Sequence, residues 1–199
     1  MAAPKTGRLR KALSVPHDLR EAFVRRTRDF RGRAVNFFVD KVRLPDGRPA
    51  VREYLDHPGA AAVLPLLDRR TLILVEQYRY PVGRRTLEIP AGKLDPGESV
   101  LACLRRELRE ETGFTARRVT PLIRYWPTPA FSNELLHVYL AQGLALGRRD
   151  PDPDEFLRVV RLPLEEALRR VLEGRIRDSK TVVALLAYRS LPKRKDYTK

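Results

Sequence analysis

The chain has 199 residues, 43% of them hydrophobic, and carries 40 Lys plus Arg against 25 Asp plus Glu, a formal charge of +15. That length suits one globular domain with a buried core, and no apolar run is long enough to cross a membrane as a helix. A single cysteine, Cys103, and three scattered histidines, His17, His57 and His137, exclude an intrachain disulfide and give no support to a thiolate or multi-histidine metal site.

The lone thiol suits a reducing compartment, so the cytoplasm is the expected location. The basic excess favours anionic partners, whether nucleotides, nucleic acid or acidic lipid, although a charged surface that keeps the protein soluble needs no ligand. The opening MAAPKTGRLRKALS lacks the apolar core of a signal peptide, and residues 1–32 read as a basic tail. In residues 33–56, RAVNFFVDKVRL and PAVREYL flank the turn residues Pro45, Asp46 and Gly47, which predicts a β-hairpin. AAAVLPLL and TLILVEQYR, on either side of Asp68, Arg69 and Arg70, predict a second pair of strands whose nearly continuous apolar residues are buried.

Pro90 and Pro96 bracket a loop, and a short helix with the acidic run follows it. RRVTPLIRYW and ELLHVYLAQGL predict two more strands joined through PTPAFSN, and EFLRVVRL another after PDPD. Pro163 suits the first turn of a helix over PLEEALRRVLEG, with Leu164, Leu168 and Leu172 on one face and Gly174 closing it. Asp178 or Ser179 caps a last helix through Leu191, before a basic tail at 192–199. The pattern is α/β, a mixed sheet with helices on its faces and no internal repeat, with the main domain at 57–191.

GKLDPGESVLACLRRELREETGF, residues 92–114, carries the chemistry. At about 100° per residue, Glu107, Glu110 and Glu111 share an arc of about 100°, flanked by Leu101, Leu104 and Leu108 on the core side. Each like-charged pair at spacing three or four costs roughly 0.2–0.5 kcal/mol, and acids near a helix C-terminus also oppose its dipole. Either arginines neutralise the acids, with Arg106 pairing Glu110 at spacing four, or a divalent cation does. The flanks favour the cation: Gly92 and Gly97 lie in the preceding loop, Glu98 stands at the helix start, and Gly113 supplies a left-handed end. Carboxylate oxygens are hard donors, so Mg²⁺ is expected, with Mn²⁺ as substitute and zinc disfavoured. Such a cation activates water against a pyrophosphate, which makes phosphoanhydride hydrolysis the natural reaction class.

Gly92, Glu98, Arg106, Glu107, Leu108, Glu110, Glu111, Gly113 and Phe114 match the fixed positions of the Nudix hydrolase signature. The chain therefore resembles a family of metal-dependent enzymes that cleave a nucleoside diphosphate linked to another group, on an α/β/α sandwich; here an N-terminal β-hairpin element would be added. HPGAAAVLPL, VEQYRYPVG, LEIPAGKLDPGE and YWPTPAFSNE, with Pro129 sixteen residues after Gly113, resemble its ADP-ribose pyrophosphatase subgroup.

The resemblance implies that Glu107 and Glu111 are the principal metal ligands and Glu110 a further ligand or outer acid. Arg106 would orient the glutamates, Glu98 would support or coordinate a metal, and the carbonyl of Ala91 beside the loop glycine Gly92 would bind one too. Arg79 would contact substrate phosphate, against the alternative of a surface arginine at a strand end. Arg52 and Glu53 are substrate-contacting candidates that the subgroup sometimes supplies from a partner subunit, which implies a homodimer with the hairpins at its interface. Glu88 is either a further site acid or part of a strand edge. The general base is Glu134 or Glu155, with Asp152 and Asp154 as alternatives because Pro153 stands where relatives carry an acid, and Glu155 also matches a position that binds metal in some relatives. Phe37, Phe38, Tyr54, Tyr78 and Tyr80 stack on adenine or belong to the core. The expected reaction is Mg²⁺-dependent hydrolysis of ADP-ribose to AMP and ribose 5-phosphate. The alternatives are another nucleoside-diphosphate derivative, and RNA binding or RNA-end processing.

Overall fold

The computed structural model describes residues 18–32, 35–150 and 156–191. The chain divides into two compact units, Met1–Asp56 and His57–Lys199.

The first unit is an antiparallel sheet in the order β1-β2-β3, from β1 (Ala22–Arg31), β2 (Asn36–Arg43) and β3 (Pro49–Asp56). The hairpin expected from the sequence is β2–β3, in register from Asn36 opposite Asp56 to Arg43 opposite Pro49. Its turn is held by Asp46, which accepts the Arg48 amide at 3.1 Å. Ala22–Arg31 is a strand where the sequence suggests only tail. All ten of its residues are exposed, so neither face imposes the period-two alternation by which a strand is recognised. On β2, Asp40 is buried beneath Arg26, at 2.8 Å, and Tyr54, at 3.1 Å. The Arg26 guanidinium lies 3.5 Å from the Phe38 ring centre, and Phe38 meets Tyr54 edge to face.

In the second unit, β4 (Ala60–Pro65) lies between β7 (Ala91–Lys93) and a parallel β9 (Leu136–Leu146), and β8 (Phe114–Tyr125) forms the far edge. A separate antiparallel sheet has the order β10-β5-β6, from β5 (Thr71–Arg79), β6 (Arg84–Glu88) and β10 (Arg158–Pro163). The helices are α1 (Val100–Thr112), α2 (Leu164–Leu172) and α3 (Ser179–Ser190).

The unbroken apolar run of β4 follows from burial on both faces. Ala60, Ala62 and Leu64 pack with Leu72, Leu74, Leu168 and Leu185, toward α2 and α3. Ala61 packs with Cys103 and Leu104, and Val63 with Leu108, toward α1. Helices thus cover both sides, which gives the expected α/β sandwich.

β4 and β5 are both strands, as expected, but join different sheets; an isolated bridge pairs Leu66, just after β4, with Leu72. Pro121 sits within β8, where the register with β9 slips; an edge strand with an irregularity tolerates its missing N–H. Leu101, expected to face the core, is 46% exposed, and Leu172, which shares a helix stripe with Leu164 and Leu168, is 81% exposed; each stands at an end of its helix stripe. Pro163 closes β10 and precedes α2, and Asp178, not Ser179, caps α3 by accepting the Thr181 amide at 3.0 Å.

Candidate active site

α1 is fixed at both ends before its acids are considered. Ser99 Oγ accepts the Ala102 amide at 3.2 Å, and Gly113, at φ 78°, turns the chain while its amide bonds Arg109 O at 2.8 Å. Leu104 and Leu108 anchor the inner face. That seating carries Glu107 and Glu111 inward, leaving them 8% and 3% exposed.

Both carboxylates lie on the backbone of β7, which β4 holds through the pairs Ala60–Lys93 and Ala62–Ala91. The Ala91 amide donates to Glu111 Oε2 at 3.3 Å. At Gly92 a Cβ atom would stand 1.6 Å from Glu107 Oε1, so the missing side chain is what admits the carboxylate.

One guanidinium serves three acids on this face. Arg106 binds Glu98 through two bonds of 2.9 and 3.0 Å, Glu107 at 2.7 Å and Glu110 at 3.2 Å. The Arg106 bonds, outweighing burial, hold the Glu98 carboxyl down at about 2. Glu98 also accepts the Asp95 amide at 3.1 Å, ordering the turn before the helix. Cys103, buried under this face, donates to Lys93 O at 3.3 Å; burial, then the charges of Glu98 and Glu107, push its thiol up to about 12. The thiol is therefore inert packing.

A second polar group sits where β5 and β6 meet the start of α3. Glu88, 1% exposed, takes Arg79 through two bonds of 2.8 Å, Thr86 at 2.5 Å, Gln77 at 3.4 Å, and Lys180. Burial alone would raise its pKa, but Arg79 and Lys180 overcome it and hold the carboxyl at about 2. Glu88 is therefore a fully bonded interior anion at the end of β6, the edge strand of its sheet. Arg79 is bound to it and also feels the charge of Glu111, which connects the two groups.

Residues 56–185 match the model of the NUDIX domain. The chain belongs to the NUDIX family. It is 40% identical over 169 residues to the ADP-ribose pyrophosphatase of Bacillus subtilis, covering 84% of this chain and 91% of that one. It is 43% identical over 158 residues to the methanol dehydrogenase activator of Bacillus methanolicus, covering 78% and 85%. A crystal structure of an ADP compounds hydrolase superposes with a TM-score of 0.74 at 27% identity, over 85% of this chain and 92% of that one.

In this NUDIX fold the structure gathers Ala91, Gly92, Glu98, Arg106, Glu107, Glu110 and Glu111 around β7 and α1, and joins Arg79 to Glu88 nearby. Glu134 lies in the β8–β9 connection, its amide bonded to Ser132 Oγ at 3.2 Å. Arg52 and Glu53 belong to β3 in the first unit, where Arg52 pairs with Glu21. Glu155, Asp152 and Asp154 lie outside the described residues. Lys180 and Asp178 are the residues that sequence reasoning missed as part of this neighbourhood. Their only local signal is the cap at Asp178.

NUDIX hydrolases generally need divalent cations. Among the described residues no three acid, imidazole or thiol side chains are grouped at chelating distance in this conformation. The donor chemistry nonetheless fits a hard cation: Glu107 and Glu111 are buried carboxylates one turn apart, both lying on the Ala91–Gly92 backbone, and the Gly92 cradle admits nothing larger than hydrogen beside Glu107.

Proposed function

We propose that this NUDIX protein hydrolyses the pyrophosphate of ADP-ribose, giving AMP and ribose 5-phosphate. The observation that carries this reading is the pair Glu107 and Glu111, buried against Ala91–Gly92 and beside the Glu88-bound Arg79. The similarity to an ADP-ribose pyrophosphatase over most of both chains supports the substrate.

Glu107 and Glu111, with the Ala91 carbonyl, would hold the cation, and Glu110 and Glu98 would complete its surroundings. Hard oxygen donors favour Mg²⁺, with Mn²⁺ as substitute. When bound there, it would offset diphosphate charge, polarise phosphorus and acidify water. Arg106 keeps Glu98, Glu107 and Glu110 aimed together, which a cluster of like charges would not do unaided. Arg79 binds a phosphate of the substrate, its planar fork already oriented by Glu88. Water adds to one phosphorus, the bridging P–O bond breaks, and Glu134 is the described candidate to accept the water's proton.

Arg52 and Glu53 contact substrate from a second copy of the chain, in a homodimer. The support for a dimer is β1, an exposed ten-residue edge strand bearing Phe23, Val24 and Phe30 on its surface, which a second copy would cover. The single buried cysteine suits a reducing compartment, the cytoplasm. The substrate is tested by turnover of ADP-ribose, other ADP-sugars, GDP-sugars and dinucleotides with Mg²⁺, products being resolved by chromatography. Release of AMP from ADP-ribose at the highest kcat/KM supports the reading, and a higher value for a guanine or dinucleotide substrate rejects it.

A further inference from the structure

Lys180 lies 92 residues from Glu88 in sequence, yet its ammonium bonds the buried Glu88 carboxylate and, at 2.9 Å, Asp178 Oδ1. Asp178 Oδ2 accepts the Thr181 amide at 3.0 Å and the Thr181 hydroxyl at 2.5 Å. Thr181 Oγ1 in turn accepts the buried Ile89 amide at 2.8 Å. The path from the Glu88 side chain through Lys180, Asp178 and Thr181 thus returns to the residue covalently next to Glu88. It is a closed ring that clamps the end of β6 to the start of α3.

Two consequences follow from that geometry. Ile89 is followed by Pro90 and then by Ala91–Gly92, on which Glu111 and Glu107 rest, so the clamp sets where that backbone enters the carboxylate face. Arg79, Glu88, Lys180 and Asp178 also form a chain of alternating charge with no net charge. Without the Lys180 ammonium two carboxylates would face one guanidinium, and the chain would become an anion beside the place where a diphosphate must bind.

We infer that Lys180 is a positioning residue for the diphosphate: it touches no reacting atom, but shares Glu88 with Arg79 so that the Arg79 guanidinium keeps its orientation and its attraction for phosphate. The inference rests on the phosphate-binding role proposed above for Arg79.

The test compares wild type, K180M, K180R and R79A. Three readouts are used: KM and kcat for ADP-ribose with Mg²⁺, calorimetric affinity for the non-cleavable adenosine 5′-(α,β-methylene)diphosphate, and thermal midpoint. K180M should raise KM and weaken analogue binding together by about 10- to 30-fold, the effect of one unit charge across roughly 8 Å at an effective dielectric near 20. Its kcat should change less than about threefold, because binding to Arg79 is common to ground and transition states. K180R should restore most of the affinity, and R79A should show a larger loss of the same kind. Unchanged KM and analogue affinity in K180M overturn the inference. So does a loss shared by kcat and thermal midpoint that K180R fails to restore, since that is a merely structural role. If wild type binds the analogue but does not cleave ADP-ribose, the substrate assignment fails while the analogue arm still decides on Lys180.

Discussion

Replacing Gly92 by Ala separates the carboxylate face from the fold that carries it. Gly92 does not adopt the left-handed backbone that strains other residues, so alanine is conformationally acceptable there. Its Cβ, however, would stand 1.6 Å from Oε1, 2.1 Å from Cδ and 2.8 Å from Cγ of Glu107. To regain ordinary contact at 3.4 Å the Glu107 oxygen must retreat by roughly 1.8 Å, which the flexible side chain accomplishes by rotating away from β7. Misplacement of a reacting or ligating group by about 1 Å costs about 100-fold, so kcat/KM for ADP-ribose should fall at least about 100-fold, or about 3 kcal/mol. Stability should shift by no more than about 1 kcal/mol, because the entropy that alanine removes from the unfolded chain offsets part of the rearrangement. Steady-state kinetics at saturating Mg²⁺ and thermal unfolding measure the two quantities. A G92A protein with wild-type kcat/KM would refute the placement of Glu107 at the reacting centre.

Acid should unfold the protein partly through Glu88. Its folded pKa of about 2 lies below the ordinary 4.5, so the stability it contributes is complete above about pH 4.5 and is lost as pH falls through about 2. The thermal midpoint should drop across that window, and in K180M, where one cation is gone, the drop should begin at higher pH; identical acid profiles would contradict the pairing. For the proposed dimer, sedimentation velocity should give twice the chain mass for wild type, and the double change F23E/F30E on the exposed strand β1 should lower it. A monomeric wild type would remove the second copy from the site.

What could be read in advance follows from the range of the interactions. The α1 caps, the β2–β3 turn and the Asp178 cap rest on residues two to four apart, and all are visible as local patterns. The acid face of α1 is likewise a matter of helix periodicity. β1 escaped because arginine occupies four of the ten positions of a strand that buries neither face, and β6 because only its last three residues, Thr86, Leu87 and Glu88, turn inward. The split of β4 and β5 between two sheets is a topological outcome that a short Asp68–Arg70 turn conceals. Glu88 and Lys180 meet across 92 residues, and nothing local distinguishes a glutamate at a strand end from one with five donors around it. Contacts of that span are fixed by tertiary packing.

The central claim is that Glu107 and Glu111 hold a divalent cation on the diphosphate of ADP-ribose. It is met most directly by titrating Mg²⁺ into chelator-stripped wild-type and E111Q protein and following AMP and ribose 5-phosphate release. Wild type should be silent without the cation and release the two products in equal amounts as it is added. E111Q, folded by its thermal midpoint, should need more cation and remain slower by about 100-fold or more. Equal turnover of the two proteins at every Mg²⁺ concentration would contradict the account.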